Sequence, residues 1–178
     1  IEGMVSHIDI FPTICDLLKI DAPPWLQGRS FMPLVRGEAA EINEAVYAEV
    51  TYHAAYEPQR AIRTRRWKYI RRFDGRHRPG LPNIDDSLSK DVLLRYGLAE
   101  REMTTEELYD LAFDPGERHN CAADPAYEIT LEEMRARLAT WMRATNDPLL
   151  FGPAPLPPGG VANDPDDLSP NGPLTVRG

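Results

Sequence analysis

The chain lacks most of what catalytic or cross-linked proteins display. Its two cysteines, Cys15 and Cys121, are too few for a disulfide framework or a metal-ligand set. Cys15 lies in the apolar run ICDLL and Cys121 follows a turn, so both read as small packed residues rather than reactive thiols. No stretch approaches the ~18 consecutive apolar residues of a membrane-spanning helix. There is no Gly-x-Ser-x-Gly elbow, no His-x-x-x-His pair, no Cys-x-x-Cys and no glycine-rich phosphate loop. These residues alone therefore assemble no catalytic centre. Asp85-Asp86 and the acids within 164–167 lie in loop and tail stretches and read as solvated rather than metal-binding; His7, His77 and His119 read as structural or solvated. The chain starts at Ile1, its first methionine is Met4, and no basic or apolar leader precedes the first element. The expectation is a piece cut or processed from something larger, and the cellular location is not legible.

What is present suffices for a core. The 178 residues fit one domain, or one domain plus a tail, and 42% are hydrophobic. A net charge of −8 argues against whole-chain affinity for nucleic acid or anionic lipid. The charge is uneven, however. Residues 60–78 (RAIRTRRWKYIRRFDGRHR) hold nine Lys/Arg against the single acid Asp74. Such a basic hairpin, with Trp67 and Tyr69 interleaved, suits a sulfate, a phosphate or an RNA strand; the alternative is a solvated sheet face paired with the acidic remainder.

Periodicity supplies the elements. Met4–Ile8 reads as the end of a buried strand, and Ile8, Phe11, Cys15 and Leu18 recur at helical spacing, which predicts a helix over 9–19 with Asp9 as N-cap. Pro33–Arg36 reads as a single turn closed by Gly37. Strands are expected at Ala45–Thr51, Arg60–Thr64, Trp67–Phe73 and Glu107–Leu111, mostly antiparallel, with a tight turn near Arg65-Arg66. A long polar insertion over 74–106 is expected to carry a short helix at Lys90–Tyr96, capped by Ser89. Leu131, Met134, Leu138, Trp141 and Met142 mark the clearest helix, near 127–145. From Phe151 onward Pro and Gly dominate, which predicts an extended tail, disordered or wrapped over a neighbour.

Ligand groups gather at strand ends and the loops that follow them. In EVTYHAAYEPQR (49–60), Thr51, Tyr52 and His53 end a strand, and Arg60 follows the loop. These four are the candidate substrate-binding residues. His53 would donate to a sugar hydroxyl or an anionic oxygen with Arg60 beside it; the alternative is a plain surface histidine.

Taken in order, VSHIDIFPTICDLLKI, LQGRSFMPLVRGE, RAIRTRRWKYIRRF, ELYDLAFDPGERHN and LATWMRATNDPLL resemble the C-terminal part of a sulfatase of the alkaline-phosphatase-like superfamily. They are most similar to the heparan N-sulfatase (N-sulfoglucosamine sulfohydrolase) branch. The resemblance covers residues 4–150 and leaves the tail outside. It implies an α/β protein with an α+β subdomain: a small four-stranded antiparallel sheet packed by a C-terminal helix, after a strand-helix piece of a truncated large α/β domain. The implied divisions are 1–40 (end of the large catalytic domain), 41–150 (C-terminal subdomain) and 151–178 (tail).

The activity implied for the intact protein is hydrolysis of sulfate esters or N-sulfate groups, on a sulfated sugar. Calcium and a formylglycine are implied as cofactors, both in the missing upstream part. The formylglycine motif is Cys/Ser-x-Pro-x-Arg, which neither CDLLK at Cys15 nor CAADP at Cys121 matches, so no catalytic or metal residue is assigned here and the fragment alone is expected to be inactive. Implied partners are the sulfated substrate and the missing N-terminal catalytic domain, not nucleic acid or membrane, with homo-oligomerisation left open. Two rivals remain: a phosphoester or phosphonate hydrolase of the same superfamily, and a non-catalytic polyanion-binding module, which the net charge of −8 disfavours.

Overall fold

The computed structural model describes residues 2–175. Its centre is a four-stranded antiparallel sheet in the order β1-β2-β3-β4, formed by Val46–Tyr52, Tyr56–Arg63, Trp67–Arg72 and Glu106–Asp110. Tyr47, Ile62 and Tyr69 give its packed face the aromatic and β-branched side chains that strands favour, while Arg and Glu fill many of the remaining positions. Tyr47, Ile62, Tyr69 and Leu108 lie side by side across all four strands on one face. That face receives the helix Glu128–Ala144, whose Leu131, Met134, Leu138 and Met142 are buried at successive turns. Trp141 stacks on Tyr47 with ring centroids 4.9 Å apart, closing the β1 side of the same core.

The chain enters through a 3-10 turn, His7–Asp9, followed by α1 (Ile10–Leu18) and the one-turn α2 (Met32–Val35). The expected strand over Met4–Ile8 does not form. Ser6 N–H instead donates to Asp9 Oδ2 at 2.8 Å, which turns the chain into the 3-10 segment. Asp9 is buried and also accepts from Arg29 N–H and Asn43 Nδ2, both at 2.8 Å, so one carboxylate ties the entry turn to two later loops. Gly28 makes that close approach possible, since a Cβ there would lie 1.9 Å from the Ile8 carbonyl oxygen.

The insertion after β3 carries α3 (Leu88–Arg95). Its N-cap is Ser87 rather than Ser89: Ser87 Oγ accepts from Lys90 N–H at 3.2 Å. The one-turn α2 and the long final helix, here α4, lie close to their expected positions. Of the two alternatives for the tail, its described residues take the wrapped one. Among its described residues Ala154, Ala162 and Asn163 are buried, and Ala162–Asn163 (β5) pairs with Leu174–Thr175 (β6). The tail thus wraps back onto its own body, held by backbone and polar bonds where apolar side chains are scarce.

Candidate functional site

The β1–β2 hairpin carries the four candidate residues, and the structure gives them different roles. A register shift between Val50 and Tyr52 leaves a bulge at Thr51, which bends β1 just before the loop. Tyr52 faces inward: its hydroxyl donates to the Ala154 carbonyl at 3.1 Å, and its ring lies 4.8 Å from that of Tyr56. Tyr56 Oη in turn accepts from Ala154 N–H at 3.2 Å, so the two tyrosines grip the start of the tail. Thr51 Oγ1 accepts from Arg60 Nη2 at 3.2 Å. His53 is exposed, and its side chain has no hydrogen bond or ion pair among the described residues.

Arg60 corrects the expectation of a surface cation beside His53. It is 1% exposed, on the helix-facing side of β2 that alternation assigns to Arg60 and Ile62. Its Nε donates to Asp147 Oδ2 at 2.5 Å and Nη2 to Asp147 Oδ1 at 3.1 Å. Nη1 donates to the carbonyls of Val50 at 2.7 Å and Gln59 at 2.9 Å. A guanidinium so satisfied and so buried cannot reach a ligand, and further chain packed outside would only bury it more. It acts on the site from behind, by holding the strand end at Val50 and Thr51. Burial pushes the Asp147 carboxyl up, but hydrogen bonds from Arg60 and from Leu149 N–H outweigh this and leave it below the ordinary aspartate value.

The loop itself is pinned from two other directions. Asn83, in the insertion, accepts on Oδ1 from Ala54 N–H at 3.0 Å and Ala55 N–H at 2.7 Å. Asn163, in the tail, donates its N–H to the Ala54 carbonyl at 2.8 Å. Neither residue stands out in the sequence, because each acts over a separation of 28 or more positions. Asp147 was legible only indirectly, since a lone arginine on an inward strand face needs a buried partner.

The basic stretch is largely neutralised. Arg66 pairs with Asp110, Lys68 with Glu117, Arg72 with Glu57 and Arg76 with Asp166, at 2.6–2.8 Å. The segment that opens with ELYDL is scaffold: Asn120 Oδ1 accepts from Leu108 N–H at 2.9 Å and its Nδ2 donates to the Glu106 carbonyl at 3.0 Å, so it covers the free edge of β4. Asp114 Oδ2 accepts from the N–H groups of Arg118 and His119, which closes the following turn. Among the described residues no group of three or more His, Cys, Asp or Glu side chains is arranged to hold a metal ion, and neither cysteine lies in a formylglycine motif. The residues present do not fit either cofactor. Also among the described residues, no helix is long and apolar enough to cross a membrane.

Comparison with known proteins agrees with this scaffold. The family profile for N-sulphoglucosamine sulphohydrolase, C-terminal, matches residues 1–81. An ulvan-active sulfatase of Formosa agariphila is 32% identical over 153 residues, covering 81% of this chain and 30% of the relative. Human N-sulphoglucosamine sulphohydrolase is 28% identical over 181 residues, covering 85% of this chain and 35% of the relative. A solved 2-O GAG sulfatase superposes with a TM-score of 0.58 at 31% identity, covering 80% of this chain and 26% of that one. The chain thus spans about a third or less of each of these three proteins. Formylglycine and calcium are typical of that family. In sequence and in fold, the chain is a C-terminal sulfatase region of the alkaline-phosphatase-like superfamily.

Proposed function

We propose that the intact protein hydrolyses sulfate esters or N-sulfates of a sulfated sugar, and that this chain supplies part of the pocket rim through the β1–β2 hairpin. His53 is the group proposed to touch the sugar. The observation that carries this reading is the contrast within the hairpin: Thr51, Tyr52 and Arg60 are bound to their own scaffold, while the exposed His53 has an uncommitted side chain on a loop that three separate anchors hold still. A ring nitrogen of His53 donates to a hydroxyl or sulfate oxygen, and the fixed loop spares the ordering cost of binding. Thr51, Tyr52 and Arg60 keep that geometry without contacting the substrate.

The sulfated-sugar class is supported by relatives that act on ulvan and N-sulphoglucosamine. On this reading residues 1–40 close the edge of the large catalytic domain, 41–150 form the subdomain and 151–178 its tail, and the upstream chain supplies the formylglycine and calcium. The exposed apolar face of α1 supports a missing layer there.

The test uses the full-length enzyme. His53→Ala should raise KM for a sulfated glucosamine about tenfold to a hundredfold, as loss of one charge-assisted hydrogen bond of ~1.5–3 kcal/mol implies. Turnover of a small aryl sulfate, which lacks the sugar, should stay nearly unchanged. Equal losses on both substrates with normal folding would move His53 into the reaction centre, and no loss on either would return it to the plain surface.

A further inference from the structure

We infer that Asn83 is a positioning residue for the sugar-contacting loop, the last member of a polar relay that runs Arg72–Glu57–Asn83–Ala54/Ala55. The inference rests on the pocket-rim reading above and adds to it the residue that sets the loop.

The relay is continuous in the structure. Arg72 Nη1, on β3, donates to Glu57 Oε1 at 2.8 Å. Glu57 Oε2, on β2, accepts from Asn83 Nδ2 at 2.8 Å. The other end of the same amide, Oδ1, accepts from both Ala54 N–H at 3.0 Å and Ala55 N–H at 2.7 Å. Both ends of the Asn83 side chain are therefore committed, and only a residue with donor and acceptor on one short planar group satisfies both sides. The carboxylate at position 57 orients the amide; the amide fixes two successive backbone N–H groups directly after His53. Space for the junction comes from Gly80, where a Cβ would lie 3.1 Å from Asn83 Nδ2 and 3.2 Å from Glu57 Oε2. Ala55 is fully buried, so its N–H has no water to fall back on if Asn83 is lost.

The function of the arrangement follows from where it acts. The long insertion that carries Asn83 touches the loop through this side chain, one residue away from the exposed imidazole. The two alanines have no side-chain groups of their own to order the backbone there. Loss of the relay leaves strand pairing between β1 and β2 intact at Val46–Val50 and loosens only the tip, which Asn163 then holds from one side alone. A substrate gripped by His53 would then have to order that tip on binding, a cost that appears in KM for the sugar and not in the sulfur chemistry.

The experiment uses the full-length enzyme with Asn83→Asp, Asn83→Ala, Glu57→Gln and the double variant Asn83→Asp/Glu57→Gln, with His53→Ala as reference. Asn83→Asp keeps an acceptor toward the alanines but sets two carboxylates against each other; adding Glu57→Gln restores a donor opposite it with reversed polarity. Amide hydrogen exchange at Ala54 and Ala55 should accelerate about tenfold or more in both single Asn83 variants. KM for a sulfated glucosamine should rise about fivefold to tenfold with aryl-sulfate turnover unchanged, and the double variant should recover both. Unchanged exchange, or faster exchange with unchanged sugar KM, overturns the inference, as do equal losses on both substrates. If His53→Ala raises the sugar KM and the Asn83 variants do not, the relay fails while the pocket-rim reading stands. If the Asn83 variants raise it and His53→Ala does not, the relay stands and the sugar contact belongs to another group of the loop.

Discussion

Arg60 and Asp147 show at the residue scale how a charged side chain in a strand becomes architecture. Both are nearly fully buried, and the pair bridges 87 positions of sequence, fastening β2 to the turn that follows α4. Removing one partner strands the other charge in the interior, a loss of about 3–5 kcal/mol. Arg60→Ala and Asp147→Ala should each lower the urea midpoint of the full-length protein by that equivalent, and Arg60→Lys should not restore it, because an ammonium cannot serve a carboxylate and two carbonyls in one plane. The pH dependence has a definite sign. The folded carboxyl of Asp147 lies below its unperturbed 3.8, so its stabilisation is complete above that value and is lost as pH falls through it toward the lower folded one. Urea titrations between about pH 5 and pH 2 should show a steeper loss for the natural protein than for Asp147→Asn; parallel curves would refute the assignment.

At the scale of elements, the sheet and α4 form one core whose energetics are set by face. Met134→Ala or Leu138→Ala empties a site that is 1% exposed and should cost about 2–5 kcal/mol. Ile129→Ala, at 87% exposure on the same helix, should change stability by no more than about 0.5 kcal/mol. Thermal melts of the three variants decide it, and similar costs at all three would mean that α4 does not pack as described. Sequence spacing foresaw this face correctly, since i, i+3, i+7 and i+11 recurrence is local information. It also foresaw β1, β3 and β4 to within a few residues; β2 begins earlier than expected, at Tyr56, where it pairs with Tyr52 across the loop.

At the scale of the whole molecule, the conspicuous feature is an apolar surface without a partner. Ile10, Phe11, Ile14, Leu17 and Leu18 of α1 remain 44–61% exposed, and Trp25, near Phe11, is 70% exposed. Side chains of that size contribute about 1.5–3 kcal/mol each when buried. A contiguous patch of them marks an interface. The isolated chain should therefore bind an environment-sensitive dye and self-associate in a concentration-dependent way, while the same chain preceded by its upstream region should do neither. A monomeric isolated chain with a sharp melt and no dye binding would contradict the missing-layer reading.

The sequence by itself determined the period of each long element, the tight β2–β3 turn and the amphipathic α4, because these depend on neighbours within a few residues. It also picked out the hairpin, since Thr51, Tyr52 and His53 sit where a strand ends. Tertiary structure alone decided which of those residues faces outward, that Arg60 turns inward to Asp147, and that Asn83 and the tail hold the loop. The sequence left the tail open for the same reason: its order comes from bonds to Ala54, Tyr52 and Tyr56, about 100 positions away, and not from any pattern of its own. Local patterning carries the free energy of helices and strands; the fate of a single polar side chain depends on which distant donor or acceptor the fold brings within 3 Å of it.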